Sequence, residues 1–208
     1  TFSDEGVRSG TIGIDVSKFQ SSINWQKVKN AGINFVIIRC GYRGYGSGVL
    51  VQDPMFASHI TGAKAAGLRV GIYFFSQAIT EAEAVEEASM AVKLANQYGI
   101  NMPIAIDSEY ANGGRGRADG LSKSERTKIT IAFCNTVANA GYKPMVYASK
   151  NWFSEHLSVS QFPSSYRIWV AHYATTCGYT GRYDIWQNTS KGSVDGVKGN
   201  VDMNISSI

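Results

Sequence analysis

The chain has 208 residues, of which 44% are hydrophobic and 17% are charged, and its formal net charge is +4 at pH 7. These values are typical of one globular domain and exclude an intrinsically disordered chain. The basic residues are scattered, which disfavours nucleic-acid binding. No apolar stretch reaches the roughly 18 residues of a membrane span. The chain begins at Thr1 without a signal-peptide pattern, as expected of a mature secreted protein or of a domain cut from a longer one.

Short β-rich runs recur along the chain after a polar lead-in at residues 1–10. Eight strands are predicted, at residues 11–15, 34–39, 69–75, 103–109, 144–149, 167–171, 183–187 and 201–204. Helices are predicted at residues 25–31 and 53–66, each followed by glycine, and after the capping boxes that start at Thr80 and Ser122.

Alternating strands and helices predict an α/β fold with a largely parallel sheet. The last three strands start only about 16 residues apart, which is too short for full crossover helices. We therefore expect one barrel-like domain over residues 1–208, of about (β/α)5β3 architecture, with the last strands partly antiparallel.

Two carboxylates, Asp107 and Glu109, end the apolar fourth strand and are the strongest functional signal. At positions i and i+2 of a strand they share one face, with Cα atoms about 6.6 Å apart. Such a pair suits glycosidic bond hydrolysis, which needs a protonated acid and an anionic group. Asp15 and Asp202 are expected to add negative charge that keeps one carboxyl protonated. The alternatives are a solvated strand end and a cation site built from the same carboxylates.

Aromatic and basic residues gather at the same strand ends, where a barrel of this kind places its active site. Each has a competing interpretation, as a core residue or, for arginine, as half of a surface ion pair. As a set they predict a substrate groove lined by Tyr73, Phe75, Tyr147, Trp169, Trp186 and Arg39.

The three cysteines and three histidines are isolated from one another in the sequence, and no HExxH or CxxC motif occurs. We therefore predict no metal site and no cofactor. Cys40 and Cys134 are expected to be small buried residues.

Six motifs in order along the chain resemble glycoside hydrolase family 25, the Chalaropsis-type lysozymes (N-acetylmuramidases). They are GIDVSKFQ at residues 13–20, GIYFF at 71–75, IDSE at 106–109, YAS at 147–149, the pair IWVA at 168–171 and IWQ at 185–187, and GNVDMN at 199–204. The chain departs from the family at Phe74, where a histidine is frequent, and at Arg39, where a smaller or differently charged group is expected.

The resemblance implies a (β/α)5β3 barrel that cleaves the β-1,4 bond from N-acetylmuramic acid to N-acetylglucosamine in bacterial peptidoglycan, outside the cell or at the cell wall. Glu109 would be the general acid, and Asp107 would be the nucleophile, stabilise an intermediate or orient a substrate acetamido group that attacks instead. Asp15 and Asp202 would hold the acid pair and the sugar. Wall-binding domains outside this chain are compatible with this assignment.

Two further functions remain open at this point. One is a chitinase-like hydrolase, although Met102 and Ala105 replace two acids of its longer acidic motif. The other is a catalytically inactive sugar-binding module on the same scaffold, which retention of both Asp107 and Glu109 disfavours.

Overall fold

The structure is a computed structural model that describes residues 10–208. All but the last residue of the predicted lead-in lies outside the described residues. This part of the chain contains nine strands: β1 (Thr11–Val16), β2 (Phe35–Arg43), β3 (Leu50–Gln52), β4 (Arg69–Phe75), β5 (Ile104–Asp107), β6 (Pro144–Ser149), β7 (Arg167–Ala171), β8 (Ile185–Gly192) and β9 (Val201–Ser206). The α-helices are α1 (Trp25–Asn30), α2 (Phe56–Ala65), α3 (Glu81–Tyr98), α4 (Lys123–Asn139) and α5 (Lys150–Glu155), and Val159–Gln161 forms a 3-10 turn.

Eight of these strands close into a barrel in the order β1-β9-β8-β7-β6-β5-β4-β2, and β1 pairs with β2 to complete it. Within the barrel, β1, β2 and β4 to β8 pair in parallel with one another. Strand β9 is antiparallel to both of its neighbours, β8 and β1. The predicted α/β barrel with partly antiparallel closing strands is therefore confirmed.

The side chains that the sequence predicted as N-terminal caps do cap helices α3 and α4. The Thr80 hydroxyl accepts a hydrogen bond from the Glu83 amide at 3.1 Å. Ser122 and Glu125 form a reciprocal capping box at the start of α4. These caps satisfy amides that have no partner within the helix and so fix where α3 and α4 begin.

Strand β3 and helix α5 were not predicted. The second strand is predicted to end at residue 39, but β2 continues through Arg43 and pairs with β3 as an antiparallel hairpin. A break in register between Arg39 and Gly41 bends β2 at this point. Helix α5 is only six residues long, too short for a clear helical repeat.

The barrel strands are buried on both faces, because helices cover the outside and side chains fill the inside. The interior cluster contains Phe35, Ile37, Met102, Ala105, Met145, Trp169 and Ile185. The larger cluster lies between the strands and the helices. On β5, Ile104 and Ile106 belong to this outer cluster, so Asp107 faces the barrel interior with Ala105.

Helices long and apolar enough to cross a bilayer are absent from the described residues.

Candidate active site

Four acids lie at the mouth of the barrel, where the parallel strands end. Asp15 on β1 is the antiparallel partner of Asp202 on β9. Asp107 is the last residue of β5, and Glu109 follows two residues later, just beyond the strand. Burial raises the pKa values of Asp15 and Asp107, and repulsion adds to this, from Asp202 on Asp15 and from Glu109 and Asp15 on Asp107. The predicted acids are therefore close enough to interact.

Asp15 is buried, and two side-chain amides hold it. Gln187 Nε2 and Asn204 Nδ2 each donate a hydrogen bond to Asp15 Oδ2 at 2.8 Å. Burial, followed by the charge of Asp202, raises the pKa of Asp15 well above its ordinary value, and the two amide hydrogen bonds partly offset this. The site thus fixes the orientation of Asp15 without supplying a cation to it.

The two amides are themselves oriented by aromatic side chains. Trp169 Nε1 donates to Asn204 Oδ1 at 2.7 Å. The hydroxyls of Tyr147 and Tyr173 donate to Gln187 Oε1 at 2.6 and 2.8 Å. Since each amide oxygen accepts from a fixed donor, its nitrogen must point to Asp15. A continuous network therefore joins Asp15 to the aromatic residues of the mouth.

Asp107 and Glu109 form the second acidic pair. Asp107 is 4% exposed, and no amide, hydroxyl, lysine or arginine of residues 10–208 donates a hydrogen bond to its Oδ1. Burial, followed by the adjacent Glu109, raises its pKa well above the ordinary value. Glu109 is exposed at the rim, yet its carboxyl lies in the concave mouth. Loss of water there raises its pKa, while contact with Asp107 lowers it. Such a coupled pair retains one proton more readily than separate carboxyls do.

Three of the predicted aromatic residues pack together inside the mouth. The ring centres of Tyr73 and Tyr147 lie 5.9 and 4.4 Å from that of Trp169. Tyr73 and Tyr147 are half-buried, whereas Trp169 is 1% exposed and belongs to the barrel interior. Phe75 is half-buried, two residues beyond Tyr73 on β4, and is paired in register with Asp107. Tyr73, Phe75 and Tyr147 are thus placed to line the mouth, and Trp169 supports them from below.

The structure does not bring Trp186 to the mouth. Its neighbours Ile185 and Gln187 face the barrel interior, so alternation along β8 directs Trp186 outward into the cluster beneath the helices. There its Nε1 donates to the His172 carbonyl at 2.8 Å. Trp186 therefore packs beneath the helices and does not line the mouth, where the sequence predicted it to contact substrate.

Arg39 lies at the mouth but is 8% exposed and forms a buried ion pair. Its Nε donates to Asp53 Oδ2 at 2.8 Å. Its charge also partly offsets the rise that burial causes in the pKa of Asp107. Arg39 thus forms an ion pair, as one interpretation of the sequence proposed, but the pair is buried and not at the surface. It lies on the same side of the barrel as Asp15.

An open groove of about 390 Å³ extends from Glu109 across the ends of β6 and β7. Its walls include Tyr110, Tyr147, Trp152 and Tyr173, which define the aromatic groove. Tyr110 and Tyr173 are about half exposed. Exposed tyrosine faces beside a polar centre are suited to contact a sugar.

Sequence reasoning did not select Gln187, Asn204, Tyr110 or Tyr173. The alternation of side chains along a strand could have indicated the first two. Asn204 lies two residues from Asp202, and Gln187 lies two residues from Ile185, so the members of each pair share one strand face. The two tyrosines lie outside regular strands, and no periodicity marks them. No group of three or more potential ligand side chains in residues 10–208 has an arrangement suited to a metal ion.

The sequence profile of glycosyl hydrolases family 25 matches residues 14–197, which is most of the chain and includes Asp15, Asp107 and Glu109. The chain belongs to this family and is a glycoside hydrolase of the lysozyme type.

Lysozyme M1 of Streptomyces globisporus is 29% identical over 94% of this chain and 67% of its own length. The N,O-diacetylmuramidase of Chalaropsis sp. is 28% identical over 91% of this chain and 95% of its own length. The crystal structure of a lysozyme from Streptomyces coelicolor matches with a TM-score of 0.76 and 26% identity, over 97% of this chain and 94% of that one. The autolysin LytC from Streptococcus pneumoniae matches with a TM-score of 0.80 and 25% identity. That match covers 97% of this chain but only 47% of LytC.

Proposed function

We propose that this chain cleaves the β-1,4 bond from N-acetylmuramic acid to N-acetylglucosamine in bacterial peptidoglycan, with Glu109 as the general acid. The observation that carries this proposal is the coupled pair of Asp107 and Glu109 at the mouth, both with raised pKa values. Two neighbouring carboxyls that share a proton supply both an acid and an anion for glycoside hydrolysis. The LytC autolysin was solved with a synthetic peptidoglycan ligand, which supports the same substrate class here.

Glu109 is the member of the pair that can reach the leaving group. It is exposed at the rim and lines the aromatic groove, whereas Asp107 is buried beneath it. A sugar bound across the mouth would place its glycosidic oxygen against Glu109, which gives up its proton as the bond breaks. Asp107 then supplies the negative charge that stabilises the oxocarbenium-like centre.

Asp15 and Asp202 set the electrostatic conditions for this step. Asp202 raises the pKa of Glu109, which keeps the general acid protonated at a higher pH. Asp15 raises the pKa of Asp107 and is held by Gln187 and Asn204. We assign both acids to the catalytic centre as groups that tune the pair and accept hydrogen bonds from the sugar.

The substrate contacts that the geometry supports best are Tyr73, Phe75 and Tyr147 at the mouth, with Tyr110 and Tyr173 along the aromatic groove. Trp169 acts through Tyr147 and Asn204, and Arg39 through its charge. We place the enzyme outside the cell or at the bacterial cell wall, where this polymer is found, and propose no cofactor for the reaction.

The first experiment compares clearing of a purified cell-wall suspension by the wild type and by Glu109→Gln, with chemical identification of the new reducing ends. We expect muramic acid reducing ends from the wild type and a loss of about 10²–10⁴-fold in rate for Glu109→Gln, because general acid catalysis contributes about this much. Glu81→Gln, an exposed acid in the first turn of α3, is the matched control and should retain full activity.

Three outcomes would contradict the proposal. Glucosamine reducing ends would indicate the chitinase-like bond specificity. A folded wild type that binds walls but clears none from several sources would indicate a sugar-binding module. Full activity of a folded Glu109→Gln would show that another group is the acid.

A further inference from the structure

A cluster of two cations and two aromatic rings lies beside the acids, and of its members the mechanism above uses only the charge of Arg39. This basic–aromatic cluster consists of Lys18, Phe19, Arg39 and Tyr42. The Lys18 ammonium lies 4.9 Å from the Tyr42 ring centre and 5.6 Å from that of Phe19. The Arg39 guanidinium lies 4.9 and 5.4 Å from the same two centres. Both cations therefore contact the same pair of rings, within the range of cation–π attraction.

The cluster carries more positive charge than its surroundings neutralise. Asp53 is its nearby acid, but Asp53 is buried and already accepts from Arg39 Nε, the Lys18 amide and the Met55 amide. Within residues 10–208, the Lys18 ammonium forms no salt bridge, and its recorded polar contact is the Tyr42 hydroxyl at 3.4 Å. Arg39 Nη2 is buried and also has no hydrogen-bond partner in this part of the chain. The cluster can therefore accept an anion.

Phe19 gives the cluster an open face. It is 77% exposed, the largest value among the exposed large hydrophobic side chains of the described residues. Lys18 beside it is also exposed. An isolated exposed aromatic needs no explanation, but one packed against two cations at the rim of an active site offers an apolar face next to a charge. Such a surface suits a ligand that joins an apolar part to an anion.

The position of the cluster relates it to the acids and to the aromatic groove. Strands β1 and β2 are parallel neighbours, so the loop with Lys18 and the end of β2 lie at the same mouth. Burial raises the pKa values of Asp107 and Tyr73, and the charge of Arg39 partly offsets this, so Arg39 lies close to both side chains. In the barrel order, β2 lies opposite β7, so the cluster and the aromatic groove flank the acids from opposite sides. A glycan strand that crosses the mouth along the groove would reach the cluster at its other end.

We propose that the basic–aromatic cluster binds a carboxylate carried by the glycan strand, with Lys18 as the direct ligand, Arg39 as a second charge behind it and Phe19 against the apolar part of the same substituent. The inference rests on the proposed function, since it assumes a peptidoglycan substrate. Four acids at the mouth repel any carboxylate on the substrate, and a local excess of positive charge offsets this repulsion where the strand leaves the acids. An ammonium binds carboxylate through a charge-assisted hydrogen bond.

The test compares substrates that differ only in their carboxylates. Purified glycan strands with stem peptides are prepared with free carboxylates or with those groups converted to amides. A second pair of substrates lacks the stem peptides and carries the lactyl carboxylate, free or amidated. The measured quantity is the ratio of kcat/KM for the free substrate to that for its amidated form. We expect Lys18→Met to lower this ratio about tenfold through KM, Lys18→Arg to restore it, and Phe19→Ala to raise KM for both forms.

Lys93→Met on α3 removes an equally exposed charge away from the mouth and should leave the ratio unchanged. A loss with the peptide-bearing pair assigns the cluster to stem carboxylates, and a loss with the peptide-free pair assigns it to the lactyl group. Equal effects of Lys18→Met on free and amidated substrates, or no effect on either, would overturn the inference. Failure of the wild type to cleave any of the glycans would instead reject the proposed function.

Discussion

Two groups of charged side chains in this barrel are built in opposite ways. At the mouth, Asp15, Asp107, Glu109 and Asp202 lie beside one another, and within residues 10–208 no ion pair joins any of them to a lysine or arginine. The second group is the Arg43 cluster, which lies between the end of β2 and helix α3. Its members are Arg43, Glu83, Glu86, Glu87 and Arg117.

In the Arg43 cluster each acid has a cation. Arg43 contacts Glu87 at 3.0 Å and Glu86 at 2.9 Å, and Arg117 contacts Glu83 at 2.6 Å. The same arginines bind the carbonyls of Gly48 and Gln77 at 2.8 and 3.0 Å, in the segments around the mouth. Ion pairs therefore fix the rim, whereas the acids of the mouth face one another without an ion pair in residues 10–208. Raised pKa values in acids that have no ion pair are typical of a functional site, whereas paired acids are typical of a structural one.

The largest expected effect comes from breaking the matched group at Arg43. Arg43→Met leaves Glu87, which is 0% exposed, without its buried cation, so the free energy of unfolding should fall by about 3–5 kcal/mol. Urea denaturation at pH 7 measures this. The control is Arg117→Met, whose ion pair with Glu83 is about one-fifth exposed on each side and should cost about 1 kcal/mol or less. Equal losses for the two variants would show that burial does not separate the two pairs.

Glu87 gives the next largest effect, as a pH dependence of stability. Burial raises its pKa from 4.5 to about 7, although Arg43 and Ser76 lower it in part. The folded state then binds more protons than the unfolded state between these two values, so the contribution of Glu87 to stability falls as the pH rises through that window and is constant above it. The full change is at most roughly 3 kcal/mol.

Glu87→Gln isolates this contribution, because it keeps an oxygen for Arg43 and removes the titration. The difference in unfolding free energy between the wild type and Glu87→Gln should shift in favour of the variant from pH 4.5 to 7, measured by urea denaturation at several pH values. A difference that stays constant with pH would mean that Glu87 keeps one charge state across the window.

Much of the fold could be predicted because most of the barrel strands contain an apolar run that is bounded by turn signals. The acid pair was predictable for the same reason, since Asp107 and Glu109 end such a run. Trp186 shows where this reasoning stops. Strands that are buried on both faces have no polar side to mark their orientation, so an inward and an outward tryptophan look alike in the sequence.

The supporting parts of the site depend on contacts between distant segments. Gln187 and Asn204 bind Asp15 across separations of 172 and 189 residues. The sequence shows that each is on a strand, but not that barrel closure brings them to one carboxylate. The Lys18 ammonium meets Arg39 around the same rings for a similar reason, because the two lie on adjacent elements at the mouth.

The smallest expected change in stability concerns a buried acid of the mouth. Asp107→Asn removes a buried acid whose pKa is raised by burial and by Glu109. Ionisation of this acid costs stability in the wild type at pH 7, so the variant should gain about 1 kcal/mol there, as is common when a strained active site is relieved. The gain should vanish near pH 4, where the wild-type carboxyl is protonated in the folded state.

Cell-wall clearing by Asp107→Asn should fall about 100-fold or more, because the stabilising charge is lost. Asp195→Asn, at an exposed position, should change neither quantity. A loss of stability in Asp107→Asn at pH 7 would mean that the mouth is held together by its acids, as the Arg43 cluster is, and the contrast between the two groups would fail.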